Sequence, residues 1–174
     1  MTTTTLTSAF LPIFKRALRN LDHFLDKAQA SATARKFSPD VLAQSRLAPD
    51  MLPLTSQVRI ACDAAKLGVA RVGGLSAPKF EDGETTLAEL KTRIANTLAW
   101  LDSVPADALD GREDHEVTFP VGREATRTLK GADYLRHWAL PNVMFHVTTT
   151  YALLRHNGVE LGKQDFLLGP DESI

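Results

Sequence analysis

The chain has 174 residues, of which 44% are hydrophobic and 24% charged, and its formal net charge is −1. Such a balance lacks the basic surplus typical of proteins that bind nucleic acid or an anionic membrane surface, so neither partner is expected. The single cysteine, Cys62, excludes an internal disulfide framework and zinc sites built on several thiolates, and it favours the cytoplasm. No apolar run approaches the ~18 residues that a membrane span needs.

The length fits one domain, residues 1–174, with a single substantial core. Its first 20 residues have no charged segment ahead of their apolar part, so we expect a first helix here and not a secretory signal. Apolar residues recur every three or four positions in four segments, which is the period of an amphipathic α-helix. These segments lie at about 5–30, 54–72, 86–104 and 132–156.

Local signals mark the ends of these helices and the connections between them. Thr86 and Glu89 have the spacing of a capping box, and Gly74 is placed to end the second helix. Pro141 is expected to kink the fourth helix. A short helical turn is predicted at 39–45, and a small β-hairpin or an irregular loop between helices 3 and 4, within 105–130. Residues 162–166, GKQDF, are expected to form a loop.

Four amphipathic helices of this length bury their apolar faces most simply as an antiparallel four-helix bundle. The fold class is therefore all-α. His23 falls opposite the apolar face of the first helix, so we expect it in solvent and assign it no role. On the second helix, Arg59, Asp63 and Lys66 are expected to form a charged solvent face.

A few polar side chains are predicted to face the bundle interior. His146 lies on the apolar face of the fourth helix with Thr150, and Gln57 lies within the apolar arc of the second helix. Tyr151 stands at the edge of this set. Because buried polar groups need partners or water, these four residues either bond to one another or line a cavity for a small organic ligand.

A metal site at His146 would need at least two more ligands from facing helices. The residue one turn later is Thr150, a poor ligand; His137 lies on the opposite side of the helix, and His156 is ~15 Å further along. His146 is thus the one plausible metal candidate, and no metal is expected. Cys62 lies in the middle of a helix, where an unreactive packed thiol is expected.

The two tryptophans lie away from the apolar stripes of their helices. Trp100 is well off the stripe of the third helix, and Trp138 is on the flank of the fourth. Two interpretations are open: packing under the 105–130 segment, or a subunit interface, where large aromatic side chains are favoured.

Two stretches carry a resemblance to a known family. They are LPNVMFHVTTTYALLRHNGVELGKQDFL (140–167) and PLTSQVRIACDAAKLGVARVGG (53–74). Together with helix order and length, they resemble a bacterial family of unknown function within the DinB/YfiT-like superfamily. The resemblance implies an up-down-down-up four-helix bundle, commonly a homodimer.

The resemblance also implies a divalent metal, such as Zn or Ni, held by one histidine on helix 2 and an H-x-x-x-H pair on helix 4. Characterised superfamily members include transferases and isomerases that use low-molecular-weight thiols. By position, His146 matches the first helix-4 ligand. Thr150 stands where the second would be, and Gln57 is the inward polar residue of helix 2.

Three functions remain open at this point, and whether the protein is an enzyme is one of the open questions. The first is a metal-free DinB-like protein that binds a small organic ligand at Gln57, His146, Thr150 and Tyr151. The second is a divalent-metal-dependent thiol transferase or hydrolase that uses His146. The third is a non-catalytic dimeric interaction protein.

Overall fold

The protein is mostly helical, with one two-stranded antiparallel sheet, in a computed structural model that describes residues 4–168. The helices and strands, in chain order, are α1 (Leu6–Ala34), α2 (Leu54–Gly73), α3 (Leu87–Asp102), β1 (Glu116–Val121), β2 (Ala125–Lys130), α4 (Gly131–Tyr134), α5 (Leu140–His156) and α6 (Lys163–Leu167). A short 3₁₀ turn, Pro39–Gln44, confirms the turn predicted between the first two long helices.

The helix ends follow the local signals in the sequence. At the start of α3, the N–H of Glu89 donates to Oγ1 of Thr86 at 3.2 Å, and the N–H of Thr86 donates to Oε2 of Glu89 at 3.0 Å. This is the predicted capping box. Helix α2 ends at Gly74, whose φ of 64° is left-handed, a conformation that glycine adopts without strain.

The helix break expected at Pro141 takes the form of one π-helical turn, Leu135–Ala139, between α4 and α5. Pro141 has no N–H to donate, and its ring would collide with the carbonyl four residues earlier in a regular helix. A widened turn just before the proline relieves this conflict. Further upstream, a Cβ on Gly131 would overlap the backbone carbonyl of Arg112, so only glycine fits where the helix begins.

The predicted hairpin is present and covers one end of the core. Strands β1 and β2 pair from Glu116↔Lys130 to Val121↔Ala125. On β1, Phe119 faces inward, 4.7 Å between ring centroids from Tyr134 and 4.8 Å from Trp138. Trp138 thus packs under the hairpin, the first of the two interpretations given above. The indole N–H of Trp100 donates to the carbonyl of Ser76 at 3.2 Å.

The long helices contact one another in a consistent pattern. Helix α2 packs on α5 and α3, and α1 packs on α5 and α3 as well. Their apolar faces meet in one core, which the largest fully buried side chains define: Phe14, Leu18, Leu21, Phe24, Leu25, Leu54, Leu87, Leu90, Ile94, Leu101, Phe119 and Tyr134. Within residues 4–168, no helix is long and apolar enough to cross a membrane.

Residues 162–166 are not the expected loop, because residues 163–167 form helix α6 on the surface of α1. The side chain of Asp165 stabilises α6 through several contacts. One carboxylate oxygen accepts the N–H of Gly162 at 2.6 Å, and the other lies 2.9 Å from Nε2 of His23. Lys27 adds an ion pair at 3.0 Å. The expectation that His23 lies in solvent without a role is therefore wrong: its side chain is three-quarters buried and holds α6 in place.

The position predicted for Lys66 is also wrong. It was expected on the solvent face of α2, but it is 2% exposed, as is Arg93 on α3. The burial results from tertiary packing, which the sequence of α2 alone does not reveal. The connector between α2 and α3 folds back over this side of α2, and its Phe80 ring covers both cations.

Candidate functional site

The predicted polar pair in the interior is formed by His146 and Gln57. Nδ1 of His146, on α5, lies 2.7 Å from Oε1 of Gln57, on α2. The residues are 8% and 2% exposed. The contact joins the two helices near the first turn of α2, as the helical periodicity of both segments predicted.

The protonation of the imidazole follows from its neighbours. The side-chain amide of Gln57 donates from Nε2 to the backbone carbonyl of Leu52 at 3.0 Å. This bond turns Oε1 toward His146, and an amide oxygen can only accept. Nδ1 of His146 must therefore carry the hydrogen, and Nε2 is left with its lone pair.

The second ring nitrogen of His146 is open. Within residues 4–168, Nε2 has no hydrogen-bond partner. If it were also fully buried, it would be an unsatisfied polar atom, but in that part of the chain only Nε of Arg93 is both fully buried and without a partner. Nε2 is therefore not fully buried and retains some contact with solvent. The neighbouring residue Phe145 is 57% exposed, and its ring lies edge-on to the imidazole with the centroids 5.1 Å apart.

Burial lowers the pKa of His146 to about 4, because the charged imidazolium loses its hydration in this position. The ring is consequently neutral at pH 7. An uncharged imidazole with a free lone pair can accept a hydrogen bond from a ligand or coordinate a metal ion. It is a weak proton acceptor at neutral pH, because its pKa lies well below the operating range.

Neither the hydroxyl of Thr150 nor that of Tyr151 forms a hydrogen bond with the imidazole of His146. Oγ1 of Thr150 donates to the backbone carbonyl of His146 at 2.9 Å, so the expectation that its hydroxyl pairs with the ring is wrong. A helical threonine reaches the carbonyl four residues earlier more readily than a side chain one turn away. Tyr151 packs against Phe24 and Phe166, and its hydroxyl donates to the carbonyl of Leu161 at 3.4 Å.

The residues near His146 do not fit the three-ligand metal site that the resemblance implies. Oε1 of Gln57 already accepts from Nδ1, and the Thr150 hydroxyl is bonded to its own helix. Across residues 4–168, no three His, Cys, Asp or Glu side chains converge in a way that could hold a metal ion.

Cys62 is not part of the site. It is fully buried on α2, and burial raises the pKa of its thiol to about 12. The side chain is thus a neutral thiol at neutral pH and not a nucleophilic thiolate, in line with the packed thiol expected from its mid-helix position.

The carbonyl of Leu52 is the functional group that the sequence pattern did not reveal. It fixes the orientation of the Gln57 amide and, through it, the tautomer of His146. A backbone group in a connector gives no signal in residue type. A glutamine in the first turns of a helix, where preceding carbonyls lie within reach, is the nearest indication.

Comparisons with known proteins place the chain in a family. Residues 6–167 match the model of a domain of unknown function, DUF1993. The chain belongs to this family. It is also similar to a crystal structure, at 1.83 Å resolution, of a DinB family member from Shewanella denitrificans, with 42% sequence identity and a TM-score of 0.85. That likeness covers 97% of this chain and 95% of the other, and curated proteins give no match.

The family match and the similarity to the DinB family structure confirm the resemblance found in the motifs of the chain. Although the fold is shared, the metal ligands that the resemblance implies are not all present in this chain. The position of the second helix-4 ligand is occupied by Thr150, and Gln57 is the polar residue that α2 presents to His146.

We expect His146→Ala to lower the free energy of unfolding by about 2–4 kcal/mol, measured by urea denaturation. The substitution leaves a cavity and a buried Gln57 oxygen without its donor. His156→Ala is the matched control, since His156 is exposed on the same helix, and it should change the value by less than about 0.5 kcal/mol. Equal effects of the two substitutions would contradict the pairing.

The depressed pKa of His146 predicts a pH dependence of stability. An unfolded histidine binds a proton below pH ~6.5, whereas His146 in the folded protein does so near pH 4. Between these values the unfolded chain holds the extra proton, so the free energy of unfolding should fall as the pH decreases from ~6.5 to about 4. Carboxylates with lowered pKa values, such as Asp165 at about 2, contribute mainly below this range.

Denaturation of the wild type and of His146→Asn at several pH values measures this contribution. The slope between pH 6.5 and 4.5 should be smaller in the variant. A proton NMR titration of the imidazole checks the cause directly, and a His146 resonance that titrates near pH 6.5 would contradict it.

Proposed function

We propose that the protein binds a small organic molecule at the solvent-accessible edge of His146, through a hydrogen bond to Nε2. The observation that carries this proposal is the fixed tautomer. Leu52 orients Gln57, Gln57 accepts from Nδ1–H, and Nε2 is left as an acceptor that is not fully buried. The matching group on the ligand is a donor, such as a hydroxyl or an amide N–H.

The surroundings support an uncharged ligand with an apolar part. The imidazole is neutral at pH 7 and, within residues 4–168, has no carboxylate partner that would attract a cation. The exposed ring of Phe145, with its centroid 5.1 Å from that of the imidazole, offers aromatic surface close to His146. Ligand sites commonly combine such apolar surface with one or two placed polar groups.

The side chains near His146 are suited to binding and not to catalysis. A ring with a pKa of about 4 is a poor general base at neutral pH, and the thiol of Cys62 is buried.

We further propose that the four long helices run up-down-down-up, which is compatible with the contacts of α1 and α2 to α3 and α5. A cytoplasmic location belongs to the same proposal, supported by one unpaired cysteine.

His146→Asn is the decisive variant for ligand binding. The amide of asparagine lies near the position of Nδ1 and can donate to Gln57, but it does not reach the position of Nε2. The variant should therefore fold while losing the open acceptor. His156→Asn, on the exposed side of α5, is the matched control.

Ligand-observed NMR with a panel of small alcohols, phenols and amides supplies the measurement, on protein purified without an affinity tag. We expect a compound that binds wild type and control equally, and His146→Asn at least about tenfold more weakly. No binder in the panel, or binders unaffected by His146→Asn, would contradict the proposal. Stoichiometric metal in the purified protein that is lost in His146→Asn would instead favour the metal-dependent enzyme.

We also propose a homodimer, and the exposed apolar side chains beside the site support it. Phe145 is 57% exposed and Leu52 is 48% exposed, and both residues adjoin the Gln57–His146 pair. A second copy packed here would cover apolar surface that a monomer leaves in water. The tryptophans no longer support a dimer, because both have intramolecular partners.

Light scattering should therefore give about twice the chain mass of 19.1 kDa at micromolar concentration. Phe145→Ser combined with Leu52→Ser should shift the protein to monomer. Ile13→Ser is the matched control, because Ile13 is 39% exposed on α1, and it should leave the dimer intact. A monomeric wild type would rule the proposal out.

A further inference from the structure

A second candidate site lies on the other side of α2, where two cations are buried. Nζ of Lys66 is 2.9 Å from Asp63, and the guanidinium of Arg93 is 2.9 Å from Asp63 and from Glu84. Asp82 and Arg59 complete this network, at 3.1 Å from Arg93 and 2.7 Å from Glu84. Three cations thus face three carboxylates, and the network is balanced in charge.

Phe80 fixes the connector over this network. Its ring centroid is 4.0 Å from Nζ of Lys66 and 5.5 Å from Cζ of Arg93, which are favourable cation–π distances. The segment between α2 and α3 is therefore anchored by its middle. Between this segment and the second half of α2 remains a cavity of about 440 Å³, within the range of small-molecule sites.

The wall of this cavity carries a surplus of positive charge. Lys66, Arg71 and Lys79 line it, against one carboxylate, Asp63, which already serves two cations. Nη1 of Arg71 donates to the phenol oxygen of Tyr134 at 2.9 Å, a neutral partner. Among the described residues, neither Arg71 nor Lys79 has a carboxylate partner. The rest of the lining is largely apolar: Leu67, Ala70, Leu75, Ala77, Pro78 and Phe80.

We propose that this cavity binds an organic anion, a small molecule with one carboxylate or phosphate group and an apolar body. Arg71 presents a planar set of N–H donors that suits either group, and Lys79 adds a second charge. The apolar lining would receive the body of the molecule. Nothing in this site is shared with His146, because Gln57 and Lys66 are nine residues apart and lie on opposite sides of α2.

A purely structural role explains only part of the arrangement. Arg71 is in the last turn of α2, where a cation interacts favourably with the free carbonyls of the helix end. That interaction does not account for Lys79, which comes from the connector and faces the same cavity. Two cations that have no carboxylate partner among residues 4–168 line one largely apolar cavity, and this arrangement points to an anionic ligand.

Isothermal titration calorimetry of the full chain with phenyl phosphate and with benzoate tests this proposal, and benzamide serves as the uncharged analogue. We expect saturable binding of at least one anion, at least about tenfold tighter than binding of benzamide. Binding should weaken as salt is raised, because the attraction is electrostatic. Whether phenyl phosphate, benzoate or both bind identifies the anionic group.

Two substitutions locate the binding. Arg71→Gln and Lys79→Gln should each weaken binding of the anion by about tenfold, and Lys79→Gln alters an exposed side chain, so it tests the site even if Arg71→Gln disturbs folding. Arg123→Gln, in the exposed turn of the hairpin, removes the same charge elsewhere and should bind like wild type. No saturable binding of either anion, equal binding of benzamide, or wild-type affinity in Lys79→Gln would overturn the proposal.

Discussion

Helix α2 is enclosed on two sides, so its polar side chains must find their partners inside the protein. A buried polar group without a partner costs several kcal/mol in an apolar medium, and a buried charge costs more. Gln57 meets this requirement toward α5, whereas Lys66 meets it through Asp63 on the same helix and the Phe80 ring of the connector. Both candidate sites arise from these two solutions. One leaves a histidine nitrogen open, and the other brings carboxylates and an aromatic ring around buried cations.

Much of the fold could be predicted from the sequence because its signals are local. A helical period, a Thr86–Glu89 capping box and a glycine after α2 each act within a few residues, and all are present in the structure. Helix α6 shows the limit of such reasoning. Five residues are too few to display a helical period, and their stability comes from Asp165 bonding to side chains on α1.

The same distinction applies to the sites. Helical periodicity was enough to place Gln57 opposite His146, because both helices are regular where they meet. It could not decide that the hydroxyl of Thr150 bonds to its own backbone, since that is a choice between two acceptors within reach. Nor could it place Lys66. Its burial depends on the path of an irregular connector, and a wheel projection of α2 contains no information about that path.

The docking of α6 on α1 bears on how the chain acquires its structure during synthesis. The ion pair and hydrogen bonds of Asp165 join residues separated by 138 and 142 positions. Translation produces α1 first, so the part of Phe24 that Phe166 covers stays without that neighbour until α6 has been made. The rest of the helical core can assemble earlier, because its contacts involve segments already synthesised. Closure of α6 is thus a late event that seals an apolar surface, and a nascent chain stalled before residue 163 would keep that surface open to chaperones or to aggregation.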